Sequence, residues 1–191
     1  YSAFTYYCGF KVNSGEYKLM GLAPYGSPKF AEKIKKNLID IKEDGTFKLD
    51  MSFFKYHRGF RMTSNKFHKL FGSQPRSSEA ELTQFHMDIA ASIQSVTEEI
   101  VVKLSKSLRK ETGLDKLCLS GGVALNCVAN GRLIQEKIFK DIWIQPASGD
   151  AGSALGAAQI VWYEYLEMDR LVNFDDSMQG TYLGCEFSNQ E

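Results

Sequence analysis

The apolar residues between positions 82 and 108 recur every three or four residues, which is the spacing of one helix face. They are Leu82, Phe85, Ile89, Ile93, Val96, Ile100, Leu104 and Leu108. Ser78 and Glu81 stand three residues apart just before this stretch and predict a capping box, while Gly113 predicts a left-handed C-terminal cap. The pattern therefore predicts a helix of about 30 residues and about 45 Å, long enough to cross a whole domain.

A shorter helix and a hairpin are predicted before the long helix. Ser27 is placed to cap the shorter helix, with Pro28 at the first helical position. One face of that helix carries Phe30, Ile34 and Leu38. Asp44-Gly45 predicts a hairpin turn, flanked by the alternating apolar residues Ile41, Phe47 and Leu49. The aromatic and basic stretch Phe53–Gly72 shows no clear period and predicts an irregular insertion.

After Gly113 the pattern alternates between strands and helices. Residues 116–120, "KLCLS", and 141–146, "DIWIQP", are typical of strands. Helices are predicted from Asn126 to about Lys137 and from Ser153 to about Glu167. This order predicts a parallel strand pair with a right-handed crossover, and hence a mixed α/β chain without internal repeats that forms a single domain over residues 1–191.

Composition restricts the class of protein. The chain has 191 residues, of which 43% are hydrophobic and 24% charged, enough for one domain with a real core. Its formal net charge of zero offers no overall field to recruit nucleic acid or an anionic membrane. The four cysteines lack metal-type spacing and favour a reduced, cytoplasmic compartment. No stretch is apolar enough to span a membrane.

Two glycine-rich stretches, "LSGGVALN" and "QPASGDAGSALGAA", each follow a predicted strand and precede a predicted helix. In an open parallel sheet, such loops meet at the carboxyl ends of the strands, where ligands bind. Gly121 and Gly122 leave the backbone bare, and the helix that starts at Asn126 offers unpaired amides suited to phosphate. Gly149 and Gly152 precede the next helix in the same way. The pair of loops predicts a nucleotide site.

The simpler interpretation of each loop is a tight turn, because two glycines after a strand often serve only that purpose. The pattern matches neither the Walker phosphate loop nor the dinucleotide fingerprint, which argues against both enzyme classes. Asp150 lies in the second loop with no adjacent Lys or Arg. It could ligate a metal, act as a base or cap the following helix.

The sequence resembles the NodU/CmcH-type O-carbamoyltransferases over essentially its whole length. The resemblance is carried by "SGGVALN", "PASGDAGSALGAA" and the upstream "GEYKLMGLAPYG", and extends through "FGSQPRSSEAELTQFHMDIAASIQ" and "GTYLGCEF". It implies a ribonuclease H-like, actin-like (ASKHA) domain, related to the metal-dependent domain of the enzymes that make threonylcarbamoyl-adenosine in transfer RNA.

The resemblance also implies a reaction. A YrdC-like domain makes carbamoyl-adenylate from ATP and carbamoyl phosphate, and the domain resembled here passes the carbamoyl group to a hydroxyl of a small-molecule acceptor, such as a sugar, an antibiotic or a nodulation factor. The residues implied to contact the nucleotide are Ser120, Gly121, Gly122, Asn126 and Gly149, with Glu16 and Lys18 of "GEYK" nearby. Asp150 is implied as a catalytic residue and as one ligand of a divalent metal, iron or zinc.

The sequence departs from this family in its histidines. Members carry two histidines spaced four apart, whereas His57, His68 and His86 are not so paired. His86 is expected to have a structural role on the long helix, and His57 and His68 to be solvated or to face substrate. No YrdC-like segment is present either, so we expect this chain to be the later part of the transferase domain and inactive alone.

Two other functions are compatible with these residues. Sugar or acetate kinases of the same fold bind ATP in the same cleft and transfer phosphate instead of carbamoyl. A non-enzymatic alternative is a single-strand nucleic-acid surface, in which basic and aromatic residues alternate. Its residues would be Lys55, Arg58, Phe60, Arg61, Lys66, Phe67 and Lys69. The zero net charge argues against this alternative.

Overall fold

Along the chain, short helices alternate with two small sheets and one long helix. The computed structural model describes residues 1–172, 175 and 178–188. Its α-helices are α1 (Ser2–Tyr7), α2 (Glu16–Leu22), α3 (Ala31–Asn37), α4 (Asn65–Phe71), α5 (Gln84–Thr112), α6 (Cys127–Glu136) and α7 (Gly152–Ile160). Its strands are β1 (Ile39–Ile41), β2 (Phe47–Leu49), β3 (Lys116–Leu119) and β4 (Asp141–Ile144). The predicted mixed α/β class is confirmed.

The chain divides into two compact units. The first comprises Tyr1–Leu117 and Asn126–Trp143, and the second comprises Cys118–Leu125 and Ile144–Glu191. The buried hydrophobic core described below lies in the first unit. The single domain expected from the sequence stays a prediction.

The predicted long helix is confirmed as α5, which has 29 residues and ends at Gly113 with a φ of 68°. The predicted start is wrong. Thr83 caps the helix in a capping box with His86, instead of Ser78 with Glu81. The segment before the helix is held as a loop because the Arg76 guanidinium donates to the carbonyl oxygens of Ser78 and Ala80.

The apolar face of α5 is buried only in its first half. Ile89, Ile93 and Val96 lie in the core, with exposed fractions of 0%, 8% and 1%. Leu104 and Leu108 are exposed at 39% and 43%. The predicted periodicity is therefore real, but the second half of the stripe is more exposed than the first.

The turn that precedes α3 docks onto α5 instead of starting a helix. Ser27 does not cap α3, which begins only at Ala31 and has no side-chain cap. The Ser27 backbone N–H donates to Asp88 Oδ1 at 2.9 Å, and the Phe30 N–H donates to Ser92 Oγ at 3.0 Å. Asp88 and Ser92 both lie on α5 and are buried. These tertiary contacts hold residues 27–30 in a non-helical path.

The carboxylate of Asp88 is the anchor of this turn and gives the fold a pH dependence. Its pKa is lowered to about 2 by Lys29, whose Nζ lies 2.7 Å away, and by the N–H groups of Ser27 and Gln84. Because the pKa is lower in the folded state, the contribution of Asp88 to stability is fully present above the unfolded-state pKa. This contribution is lost as pH falls toward 2. We expect Asp88→Asn to remove about 2 kcal/mol of pH-dependent stability.

This expectation is checked by urea unfolding of wild type and Asp88→Asn between pH 7 and pH 2. The difference between the two free energies of unfolding should be largest above pH 4 and should shrink below it. Other carboxylates titrate in both proteins and cancel in this difference. A difference that stays constant down to pH 2 contradicts the assignment.

The predicted hairpin is confirmed. β1 and β2 pair antiparallel, with Ile39 opposite Leu49 and Ile41 opposite Phe47. Gly45 adopts a φ of +86° in the turn, and the Thr46 N–H donates to Asp44 Oδ1 at 2.9 Å. The Asp-Gly pair thus supplies both the left-handed residue and the side-chain acceptor that a tight turn requires.

The stretch Phe53–Gly72, predicted to be irregular, contains helix α4. Ser64 Oγ accepts from the Phe67 N–H at 3.4 Å to start this helix, and Gly72 ends it with a φ of 79°. Phe67 and Phe71 are buried, and their ring centroids lie 4.8 Å apart. The helix was missed because only seven residues carry its period, with two large apolar side chains one turn apart.

These two phenylalanines join an aromatic core. The ring of Phe67 lies 5.2 Å from that of Phe4 and 5.0 Å from that of Tyr7, in edge-to-face arrangements. Such pairs contribute about 0.5–1.5 kcal/mol each beyond the area they bury. The aromatic stretch therefore contributes to the core of the first unit, and its assignment as an insertion stays a prediction.

The histidines have three different environments. His86 has the expected structural role, because its Nδ1 accepts from the Thr83 N–H at 3.1 Å. His57 is exposed, as expected. His68 is not solvated: it is 6% exposed and its Nε2 lies 2.9 Å from Thr63 Oγ1. Burial lowers the pKa of His68, and the nearby Arg61 and Lys55 lower it further.

The predicted parallel pair is formed by β3 and β4. The Asp115 carbonyl accepts from the Asp141 N–H at 3.3 Å, and the Leu119 carbonyl accepts from the Gln145 N–H at 3.2 Å. From the first bond to the second, the residue numbers of both partners increase, as they do in parallel strands. Helix α6 forms the predicted crossover between the two strands.

In the second unit, α7 continues through a π-helical turn at Val161–Tyr165. No residue of α7 or of this turn is buried, although most of them are apolar. Trp162 and Tyr165 are 49% and 81% exposed. Within the described ranges, no helix combines the length and the hydropathy needed to cross a membrane.

Candidate functional site

The two glycine-rich loops are adjacent in the second unit. The Gly121 N–H donates to the Ser148 carbonyl at 2.9 Å, directly beyond the last strand bond between Leu119 and Gln145. Gly121 adopts a φ of +98°, which side chains rarely tolerate. The prediction that both loops lie at the same end of neighbouring strands is therefore confirmed.

The backbone of the first loop is open. Ser120, Gly121 and Gly122 are exposed, and a Cβ placed on Gly121, Gly122 or Gly149 would meet no atom within 4 Å. In the part of the chain that the structure describes, no group accepts from the Gly122 N–H. A bare, exposed backbone with a spare donor fits an anionic oxygen such as that of a phosphate.

The second loop differs from what the sequence predicts. The amides at the start of α7 are engaged, because Gly152 N–H donates to the Gly149 carbonyl at 3.0 Å and Ser153 N–H to the Asp150 carbonyl at 3.1 Å. A Cβ on Gly152 would overlap the carbonyl oxygen of Ala147. Gly152 is therefore required by close backbone packing, and Gly149 is the open glycine of this loop.

Asp150 is exposed in the second loop. Among residues 1–172, 175 and 178–188, no group of three or more His, Cys, Asp or Glu could hold a metal ion. Iron and zinc need several such ligands together. Asp150 is thus a single exposed carboxylate beside the loops, and its implied role as one ligand of an iron or zinc ion stays a prediction.

Asn126 has a structural role that the sequence only partly indicates. It caps α6, the helix that was predicted to start at this residue, since its Oδ1 accepts from the Ala129 N–H at 3.0 Å. Its amide also pairs with Gln94 through bonds of 2.9 and 3.1 Å, and it is 8% exposed. The side chain that was predicted to contact nucleotide is therefore largely committed to the protein.

Glu16 and Lys18 lie at the start of α2 in the first unit. The Glu16 carboxylate accepts from Ser2 Oγ at 2.9 Å and from the Asn13 N–H at 3.1 Å. Lys18 is exposed, and its Nζ lies 6.0 Å from the centre of the Tyr17 ring. Glu16 thus links α1 to the loop before α2, and the Lys18 side chain remains exposed.

Two buried polar residues were missed by sequence reasoning, Ser148 in the second loop and Gln94 on α5. Ser148 is 4% exposed, and its Oγ has no hydrogen-bond partner among the described residues. Gln94 is 4% exposed and pairs with Asn126. The signal for Gln94 was present, since a polar residue stands four positions after Ala90 on the buried face of α5. Ser148 gave no signal, because a serine in a glycine-rich loop is ordinary.

One of the two aromatic rings of the alternative nucleic-acid surface is buried. Phe67 is 0% exposed and belongs to the core. Phe60 is fully exposed, and the basic residues of this stretch are also exposed. Base stacking needs accessible rings. A single exposed phenylalanine among cations makes a weaker platform than the sequence pattern indicates.

The family model and the relatives that match this chain agree with one another. A family model described as "Carbamoyltransferase N-terminus" matches residues 1–159. An uncharacterized protein of Synechocystis sp. is 62% identical over 191 residues, which cover 100% of this chain and 31% of that protein. Nodulation protein NolO of Bradyrhizobium diazoefficiens is 39% identical over 146 residues, covering 76% of this chain and 25% of that protein.

A further relative is nodulation protein NolNO of Sinorhizobium fredii. It is 36% identical over 143 residues, which cover 75% of this chain and 19% of that protein. The chain therefore spans less than a third of the length of each of these relatives.

Proposed function

Because the chain belongs to the carbamoyltransferase family, we propose that it takes part in transferring a carbamoyl group to a hydroxyl of a small-molecule acceptor. The acceptor class that fits the family resemblance is a sugar, an antibiotic or a nodulation factor. Two relatives are named nodulation proteins, which supports this class. Acceptor pockets depend on variable loops, so the fold itself does not specify one acceptor.

The adjacency of the two glycine-rich loops carries the proposal. The bond from the Gly121 N–H to the Ser148 carbonyl brings the open backbone of Gly122 and that of Gly149 to the same strand ends. Ligands of α/β sheets bind at this edge. We assign the loops to the adenylate of carbamoyl-adenylate, with Ser120 beside them.

The proposed fold is ribonuclease H-like. Its support is the parallel pair of β3 and β4 joined by α6, with the glycine-rich loops at the strand ends. The carbamoyl-adenylate itself would be made from ATP and carbamoyl phosphate by a YrdC-like domain of the parent protein.

The transfer step is a substitution at the carbamoyl carbon. The acceptor oxygen forms a bond to that carbon, the bond from the carbon to the phosphate oxygen breaks, and AMP leaves. The exposed Asp150 carboxylate is the proposed base for the hydroxyl proton. Main-chain donors such as the Gly122 N–H would stabilise the charge that develops on the leaving phosphate. Asp150 is also proposed as one ligand of a divalent metal, iron or zinc, which would polarise the carbamoyl group when bound.

The nucleotide product tests this proposal. The complete protein, given ATP, carbamoyl phosphate and a panel of sugars, should release AMP, detected by chromatography of the quenched reaction. A kinase of the same fold would release ADP and phosphorylate the sugar without needing carbamoyl phosphate. ADP as the only nucleotide product therefore rejects carbamoyl transfer in favour of phosphoryl transfer.

A further inference from the structure

A reciprocal pair of amides links the middle of α5 to the first residue before α6. Asn126 Nδ2 donates to Gln94 Oε1 at 2.9 Å, and Gln94 Nε2 donates to Asn126 Oδ1 at 3.1 Å. Both residues are more than nine-tenths buried and belong to the first unit. Buried amides that lose their partners are destabilising, so this pair has little freedom to rearrange.

The orientation of both amides is set by their other partners. The Ala129 N–H can only donate, so the Asn126 atom that it contacts at 3.0 Å must be the oxygen. Glu98 Oε1 lies 2.9 Å from Gln94 Nε2, and an ionised carboxylate can only accept. The two ends therefore enforce one arrangement of the pair.

Gln94 uses its whole hydrogen-bonding capacity. Its Oε1 accepts from Asn126 and from the Tyr1 hydroxyl, which lies 3.0 Å away. Its two Nε2 hydrogens go to Asn126 and Glu98. Glutamate offers no donor and methionine offers neither group, so glutamine alone among residues of this shape satisfies all four contacts.

We propose that Gln94 is a positioning residue for nucleotide binding, an inference that rests on the proposed function above. Gln94 contacts no ligand itself. It holds Asn126, the residue at which the loop 120–125 ends and α6 begins. A loop whose end is held in advance loses less conformational freedom when its backbone binds phosphate. Loss of Gln94 should therefore weaken nucleotide binding from outside the contact surface.

Gln94→Glu tests this role with a pH dependence. The introduced carboxylate would face Asn126 Oδ1 and the Glu98 carboxylate, beside the Tyr1 hydroxyl, which itself lies near Glu16 and Cys8. Asn126 Oδ1 and the Glu98 carboxylate favour the protonated form, which regains one donor. The affinity for AMP, measured by calorimetry on the complete protein, should fall at least about tenfold relative to wild type at pH 8. The loss should shrink at pH 5.5.

Two further variants separate positioning from general destabilisation. Gln94→Met keeps the side-chain shape without polar groups and should weaken AMP binding equally at both pH values. Asp88→Asn removes a buried carboxylate of the same helix that makes no contact with Asn126, and should bind AMP like wild type. Circular dichroism confirms that each variant is folded, and Gln94→Met serves if Gln94→Glu is not.

The outcomes are distinguishable. Wild-type affinity in both Gln94 variants at pH 8 overturns the inference while the proposed function stands. Equal losses in the Gln94 variants and Asp88→Asn also overturn it, since they indicate destabilisation alone. Failure of wild-type protein to bind AMP rejects the proposed function, and the role of Gln94 with it.

Discussion

Gly26→Ala should destabilise the first unit by about 3 kcal/mol or more, because the added methyl group has no space. A Cβ at Gly26 would lie 2.6 Å from the backbone nitrogen of Asp88 and still closer to the carbonyl of Met87. Both atoms are helical backbone in α5 and cannot rotate away as a side chain can. The φ of Gly26 is −115°, so the expected effect is steric and owes nothing to backbone strain.

Gly21→Ala is the matched control, five residues earlier in the same "GLAPYG" region. Gly21 lies near the end of α2, and a Cβ there would meet no atom within 4 Å. Alanine should therefore raise stability by about 0.5–1 kcal/mol through helix propensity. Urea unfolding followed by circular dichroism measures both variants. Similar stabilities for the two would show that the turn before α3 does not press against α5.

Gly122→Val should weaken AMP binding at least about 100-fold, or about 2.7 kcal/mol. The branched side chain would occupy the space beside the Gly122 N–H, where a phosphate must approach the backbone. The fold should tolerate this change, because Gly122 is exposed, does not need a positive φ, and has no atom within 4 Å of an added Cβ. Calorimetry with AMP gives the affinity, and circular dichroism gives the folded state.

Gly59→Val controls for adding a β-branched residue to an exposed glycine. Gly59 also has no atom within 4 Å of an added Cβ and lies outside the glycine-rich loops. Its AMP affinity should equal that of wild type. If Gly122→Val also binds AMP as wild type does, the loop after β3 does not hold the phosphate.

Local sequence spacing predicted an element correctly where the residues that form the element also stabilise it. The period of α5, the Asp44-Gly45 turn and the start of a helix at Asn126 were all predicted, because each depends on residues within one or two turns of one another. The starts of α3 and α5 were predicted wrongly. Before α3, the side chain of Asp88 accepts from the Ser27 N–H, 61 positions away. Before α5, the side chain of Arg76 donates to the Ser78 carbonyl and is itself bonded to the Cys8 carbonyl, 68 positions away.

The candidate site shows the same division. The order of strands, helices and glycines predicted that two loops meet, since parallel strands bring their carboxyl ends together, and the bond from Gly121 to Ser148 confirms this. The engagement of the α7 amides and the pairing of Asn126 with Gln94 were not predicted. The second contact joins residues 32 positions apart.

The sequence by itself determined the mixed α/β class, the helical and strand periods, the meeting of the two glycine-rich loops and the resemblance to carbamoyltransferases. Only the tertiary structure decided which polar groups remain available to a ligand: the Gly122 amide is open, whereas the Asn126 side chain and the α7 amides are engaged. The reason is physical. Periodicity shows which face of a segment is apolar. Whether a donor or acceptor is hydrogen-bonded or free depends on the neighbours that folding brings to it.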